Sequence, residues 1–211
     1  MSESDAQADS VFVTAITVEL GMGFIALLLG WLLSVDVRQW LPVLSAENSW
    51  LILSSLLWGS LAAMPMLAAV ELIERIDWAP FRELRELDQL PVVAALLRLS
   101  PAELIAISIA AGVGEELLVR GWLMGWLIGS LDTATPLTIG IGLVASSLAF
   151  GLMHPVTPTY IVLATLIGMY LGAMVIVSGN LLIPIAAHAV YDAAHLLLAR
   201  RGHRTSKPVE P

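Results

Sequence analysis

Apolar runs long enough to cross a lipid bilayer constrain the fold of this chain more than any other feature. A helix needs about 20 apolar residues to cross a hydrocarbon core of roughly 30 Å. Hydrophobic residues make up 58% of the 211 residues and charged residues 13%, whereas soluble domains carry roughly 25% charged residues. This excludes a soluble enzyme and predicts an all-α, polytopic transmembrane helical bundle of about six spans. The predicted spans are residues 11–34, 50–70, 100–129, 136–154, 159–178 and 181–198.

Residues 71–98 differ from the spans because charges alternate there with apolar residues at helical spacing. Phe81, Leu84, Leu87 and Leu90 recur three residues apart, which predicts an amphipathic helix at the membrane interface, broken near Pro91. The chain then divides into four parts. They are a polar N-terminal tail (1–10), two transmembrane helices with the amphipathic segment (11–99), a core with the remaining spans (100–200) and a basic C-terminal tail (201–211).

Basic residues predict the orientation, because loops rich in Lys and Arg stay in the cytoplasm. Six spans place the 71–98 segment and the C-terminal tail on one side, so we expect both termini in the cytoplasm and the protein in the inner membrane of the cell. A net charge of −8 argues against a nucleic-acid partner. The chain has no cysteine, which excludes thiolate chemistry. The basic residues on the cytoplasmic side are Arg75, Arg82, Arg85, Arg98, Arg200, Arg201, Arg204 and Lys207, against Arg38 on the other.

Ionisable residues at membrane depth are the best candidates for a functional site, since each costs about 2.5–3.5 kcal/mol on insertion scales. Glu115, Glu116 and Arg120 lie in the middle of the third predicted span. Glu116 and Arg120 are four residues apart and can pair along the helix. Glu115 points about 100° away from Glu116 and so remains free to act as a general base. A purely structural ion pair would explain Glu116 and Arg120 but not Glu115.

Two further polar pairs follow along the chain. Phe150 and His154 close the fourth span, and His188 and Asp192 lie in the sixth. Residues four apart share one face of a helix, so His188 and Asp192 should point the same way. Taken alone, His154 is more often an interfacial cap than a catalyst, and His188 with Asp192 could be a pair that only joins helices. Glu19, the one ionisable residue of the first span, could pair with Arg120 or face a cavity. His195 follows His188 by two turns and is either an outer member of the site or a histidine near the cytoplasmic interface.

The three motifs occur in the order Glu-Glu-x-x-x-Arg, Phe-x-x-x-His and His-x-x-x-Asp. Together they resemble the CAAX-protease and bacteriocin-processing (CPBP, or Abi) family of intramembrane endopeptidases, which includes CAAX prenyl protease 2. The resemblance covers about residues 100–200, the predicted protease core. It implies cleavage of a peptide bond in a membrane-embedded or lipidated substrate, CAAX-like or bacteriocin-like, reached from the cytoplasmic side.

The resemblance also implies roles for individual residues. Glu115 and His154 would activate water, and His188 and Asp192 would stabilise the oxyanion or position the substrate. Glu116, Arg120 and Phe150 would support this geometry. A divalent metal such as zinc could be held by Glu115, His154 and His188, since two His and one Glu form a known zinc set. The sequence has no His-Glu-x-x-His motif, and we favour a metal-free, glutamate-dependent mechanism.

Two other classes of function stay open on the sequence alone. One is a non-catalytic membrane scaffold or immunity protein of the same fold. The other is a proton-coupled transporter that uses Glu and His as a relay, although the sequence lacks the internal repeats that such transporters carry. The physiological substrate and the oligomeric state cannot be derived from these residues.

Overall fold

The computed structural model describes residues 3–205, with side chains at 7–202 except Asp88. Residues 1 and 2 of the predicted N-terminal tail and 206–211 of the basic tail, including Lys207, lie outside this range. The described residues form helices and no strand, as the all-α prediction requires. The helices are α1 (Glu3–Leu33), α2 (Ser49–Arg75), α3 (Ala79–Arg85), α4 (Pro91–Leu96), α5 (Pro101–Glu116), a π-helical segment (Leu117–Met124), α6 (Gly125–Ile128), α7 (Pro136–Leu152), α8 (Pro158–Ser178) and α9 (Leu182–Thr205).

Within the described residues, four helices are long and apolar enough to cross a membrane, namely α1, α2, α8 and α9. Their outward faces carry exposed apolar side chains such as Trp31 and Val177, which are 77% and 88% exposed. Such surfaces suit lipid and not water. The protein is therefore an integral membrane protein built as a helical bundle.

The other two predicted spans differ from long regular helices. The run 101–128 is continuous, but its central turns are π-helical between α5 and α6. The apolar helix α7 has 17 residues, two fewer than the predicted span. The predicted polar tail is helical from Glu3 onward, because α1 extends eight residues before its apolar run.

The start of α5 is fixed by side-chain caps. Ser100 Oγ accepts a hydrogen bond from the Glu103 amide at 3.3 Å, and the Glu103 carboxylate accepts one from the Ser100 amide at 2.7 Å. Pro101 occupies the first helical position, where its missing amide hydrogen costs nothing. This capping box fixes where α5 begins, and thereby how deep Glu115 lies along the helix.

The amphipathic segment is broken, as expected, at Pro91. It forms α3, a single 3-10 turn at Leu87–Gln89 and then α4, which begins at Pro91. Phe81 and Leu84 are half-buried. Helix α3 packs against α2 and the beginning of α8, whereas α4 packs against α1.

Helix packing places the second half of the chain around α5 and α9. Helix α9 contacts both α2 and α5, α7 pairs with α8, and the π-helical segment lies between α1 and α7. A buried contact between Asn180 Nδ2 and Ser55 Oγ, at 2.7 Å, joins the loop before α9 to α2. The predicted motif residues on α5, α7 and α9 consequently face a common centre.

Candidate active site

The three predicted motifs meet at the junction of α5 with the π-helical segment, the end of α7 and the first half of α9. Of the seven predicted side chains, six form two groups of three. We call Glu116, Arg120 and His188 the buried cluster, and Glu115, His154 and Asp192 the open cluster. Phe150 lies between the two.

The buried cluster is an ion pair extended by a histidine. Arg120 Nη1 donates to Glu116 Oε1 at 2.6 Å, and both side chains are 0% exposed. The same Glu116 oxygen lies 3.0 Å from His188 Nδ1, so a residue of α9 is tied to α5. The ion pair predicted between Glu116 and Arg120 is present, but its connection to His188 was not predicted.

The second arm of Arg120 reaches α8. Arg120 Nη2 donates to the Gly168 carbonyl at 2.8 Å. A Cβ at position 168 would lie 3.3 Å from that Arg120 nitrogen and 3.2 Å from the Ser147 Cα, so a side chain there would crowd the guanidinium. Sequence reasoning missed Gly168. The available signal was the spacing of Gly168 and Gly172 in an apolar helix, a pattern that permits close helix packing.

Phe150 separates the clusters and contacts both. The Arg120 guanidinium carbon lies 4.5 Å from the centre of its ring, within the range of a cation–π interaction. The ring centres of His154 and His188 lie 4.8 Å and 5.8 Å away. Phe150 thereby keeps both imidazoles at fixed positions beside the ion pair.

The open cluster pairs a carboxylate with an imidazole. Glu115 Oε2 lies 3.6 Å from His154 Nε2. His154 Nδ1 lies 2.8 Å from the Phe150 carbonyl oxygen, which can only accept, so Nδ1 is the donor. In the neutral ring Nε2 is then unprotonated and faces Glu115. The His154 side chain is 26% exposed, whereas that of Glu115 is 8% exposed, so the pair lies at the edge of the buried region.

Asp192 completes the open cluster from α9. Its Oδ2 lies 3.4 Å from His188 Nε2, and its side chain is 30% exposed. The shared direction predicted for His188 and Asp192 is present. Because carboxylates only accept hydrogen bonds, the two nitrogens of His188 are placed as donors, one toward Glu116 and one toward Asp192.

A π-helical segment follows Glu116 directly and carries Arg120. The amide of Gly125 donates to the carbonyl of Arg120, five residues earlier, instead of four as in an α-helix. Such segments are rare and occur frequently at functional sites. The prediction of one regular helix over 100–129 was wrong here, because periodicity alone does not reveal a change in hydrogen-bond register.

The fit of a metal to these residues is poor. Among the described side chains, no group of three or more His, Asp or Glu residues is arranged to hold a metal ion. Of the three residues considered as a zinc set, His188 has both nitrogens directed at carboxylates, which leaves no lone pair for a metal. We derive no step through a metal.

Two further polar side chains, His195 and Ser147, take no part in the contacts of these clusters. His195 stacks on Tyr191 and lines a groove between α2 and α9 together with Glu71 and Glu74. Ser147 is fully buried, and its hydroxyl donates to the Leu143 carbonyl at 2.7 Å. That contact supports helix α7 and does not prepare a nucleophile.

Comparison with known families agrees with the geometry. The family model described as Type II CAAX prenyl endopeptidase Rce1-like matches residues 97–194. Residues 97–194 are therefore similar in sequence to the CAAX protease family. No curated protein and no solved structure gives a significant match to the chain.

The matched segment, residues 97–194, contains every residue of the two clusters, from Glu115 to Asp192. It also contains Gly168 and Tyr160, whose ring centre lies 6.1 Å from that of His154. Helices α1 and α2 lie outside the match. Any residue of α1 that contacts the clusters therefore lies outside the segment that the family model matches.

Proposed function

We propose that the protein is an intramembrane endopeptidase that hydrolyses a peptide bond of a membrane-associated substrate by means of Glu115 and His154. The observation that carries this proposal is the 3.6 Å separation of Glu115 Oε2 from His154 Nε2 at the edge of the buried region. Two hydrogen-bond acceptors at this separation can both accept from one water molecule that lies to the side of the line joining them.

The reaction then follows from the positions of the side chains. Glu115 takes a proton from the water, and the water oxygen attacks the carbonyl carbon of the scissile peptide. The carbonyl oxygen, on which negative charge develops, accepts a hydrogen bond from His188 Nε2–H. Asp192 orients the His188 ring. The carbon–nitrogen bond breaks as the proton on Glu115 passes to the leaving amine. Water adds to the two products, and no other reactant is consumed.

In this reaction His188 exchanges Asp192 for the oxyanion as the hydrogen-bond partner of Nε2–H, and the contact between His188 and Asp192 suits this exchange. At 3.4 Å it is long for a hydrogen bond, so the oxyanion can replace Asp192 as the acceptor of Nε2–H. The contact of Nδ1 with Glu116, at 3.0 Å, is shorter and holds the ring in place during the exchange. The buried cluster thus serves as the support of the ring that contacts the substrate.

The substrate that we propose is CAAX-like or bacteriocin-like, meaning a lipidated or membrane-embedded peptide reached from the cytoplasm. The distribution of basic residues supports cytoplasmic termini. The cysteine-free chain allows a direct test with single cysteines and a membrane-impermeant maleimide. A cysteine at exposed Ser45 should react from outside intact cells, and one at exposed Glu83 should react only after lysis. The opposite pattern would invert the proposed orientation.

The activity is tested by comparing membrane peptides from cells that express the wild-type protein, Glu115→Ala or the control Glu103→Gln. Glu103 lies on the same helix but at its half-buried start, away from the clusters, and Gln can also serve in a capping box. Peptides that depend on wild-type protein and on the control, but disappear with Glu115→Ala, would support proteolysis. Full cellular activity of Glu115→Ala would favour the scaffold or immunity reading, and proton flux in proteoliposomes would favour a transporter.

A further inference from the structure

Glu19 of α1 is a membrane-depth carboxylate that the proposed mechanism does not use. It is the one ionisable residue between positions 11 and 34, and it lies outside the CAAX protease match. Its cost in a membrane span requires either a partner or a function. The cation considered for it on the sequence, Arg120, donates instead to Glu116 and to the Gly168 carbonyl.

The backbones of α1 and α5 approach most closely beside this residue. A Cβ at Gly114 would collide with the Glu19 carbonyl oxygen, and one at Gly23 would lie 3.5 Å from the Gly114 Cα. Glycine at 114 is therefore required for α1 to pack at this depth. Since Gly114 directly precedes Glu115, this packing brings the Glu19 side chain to the base of the open cluster.

The carboxyl group of Glu19 faces the open cluster. Its neighbours are the Glu115 carboxyl, with which it is placed to share a hydrogen bond, and the side chains of His188 and Asp192. Glu19 Oε2 and Glu115 Oε2 are both buried, and neither has a hydrogen-bond partner among the described protein groups. Glu19 therefore adds a fourth helix to a site otherwise built by α5, α7 and α9.

We propose that Glu19 is a positioning residue for Glu115. A hydrogen bond between the two carboxyl groups directs Glu115 Oε2 toward His154 and away from the ion pair of the buried cluster. This inference rests on the proposed function, in which Glu115 is the base. Helix α1 is then a part of the active site, although the CAAX protease match does not reach it.

The test replaces Glu19 with Leu, which cannot hydrogen-bond, and with Gln, which can donate to Glu115 from its amide. Thr17→Leu, two residues away and exposed on α1, is the matched control. With purified protein in proteoliposomes we expect Glu19→Leu to lower kcat by about 10- to 100-fold, the range for a hydrogen bond to a charged group. KM should not change, and Tm should stay equal or rise because a buried carboxyl is removed.

Glu19→Gln and Thr17→Leu should both keep kcat near the wild-type value. A merely structural role would instead lower Tm in parallel with kcat, and Gln would not restore the rate. Wild-type kcat in Glu19→Leu, or a Gln variant as slow as the Leu variant, would overturn the proposal.

A second measurement separates this inference from the proposed function. Infrared spectra report the carboxyl band of Glu115, identified as the band that Glu115→Gln removes. We expect this band to shift in Glu19→Leu and to shift little in Thr17→Leu, whether or not the protein cleaves the chosen substrate. No cleavage by wild-type protein, together with this shift, would count against the proposed function alone. An unshifted band would overturn the positioning role.

Discussion

Glu115 and Glu116 are neighbours in the sequence, yet their two clusters have opposite character. In the buried cluster, Glu116 and Arg120 are fully enclosed and joined at 2.6 Å. In the open cluster, Glu115 lies 3.6 Å from His154, and Asp192 lies 3.4 Å from His188 of the buried cluster. Short, enclosed contacts hold helices together, whereas long contacts at an edge can exchange partners with water or substrate. The difference indicates that Glu116 serves the stability of the fold, whereas the adjacent Glu115 is placed for chemistry.

The largest effect on catalysis alone is expected in the open cluster. His154→Ala removes the nitrogen that faces Glu115 and should lower kcat by about 10²- to 10⁴-fold, the range for a general acid–base group. Its Tm should stay near the wild-type value, because the ring is partly exposed and donates only to a backbone carbonyl. Single-turnover cleavage in proteoliposomes and a thermal scan measure the two quantities. His195→Ala, in the groove between α2 and α9, is the control.

The largest effect on stability is expected in the buried cluster. Arg120→Leu leaves Glu116 charged, enclosed and without its cation, and should lower the free energy of unfolding by about 3–5 kcal/mol. The double variant Glu116→Leu/Arg120→Leu should recover part of that loss, since no unpaired charge remains. Reversible unfolding in mixed detergent measures both. Equal stability of Arg120→Leu and the wild-type protein would contradict the assignment of this cluster to structure.

A smaller effect is expected at the boundary between the clusters. Asp192→Asn keeps a hydrogen-bond acceptor for His188 Nε2 but removes a charge. Its kcat should fall by only about fivefold, the equivalent of one ordinary hydrogen bond of roughly 1 kcal/mol. Asp192→Leu, which has no acceptor, should lose considerably more. If Asn and Leu lower kcat equally, the orienting role proposed for Asp192 is wrong.

The sequence was sufficient to predict the helical class and the broken amphipathic segment. It also predicted which residues share a helix face, and the pairs Glu116–Arg120 and His188–Asp192 depend on no other helix. These features are local, so spacing and capping chemistry determine them.

Contacts between helices could not be predicted in the same way. The approach of His188 to Glu116 and the bond from Arg120 to the Gly168 carbonyl depend on how the helices rotate and pack. The proximity of Glu19 to Glu115 depends on the close approach of the α1 backbone to Gly114 of α5. The π-helical segment packs against α1 and α7, and its change of register left no signal in the sequence. None of these features has a periodic signature.

The most direct test of the division between the clusters is a paired measurement of kcat and Tm on Glu115→Gln and Glu116→Gln. Both changes replace a carboxylate with an amide of the same shape, one residue apart. We predict that Glu115→Gln loses cleavage with a wild-type Tm, and that Glu116→Gln has a markedly lower Tm. A Glu115→Gln variant that cleaves at the wild-type rate, or one that loses stability as Glu116→Gln does, would contradict the account.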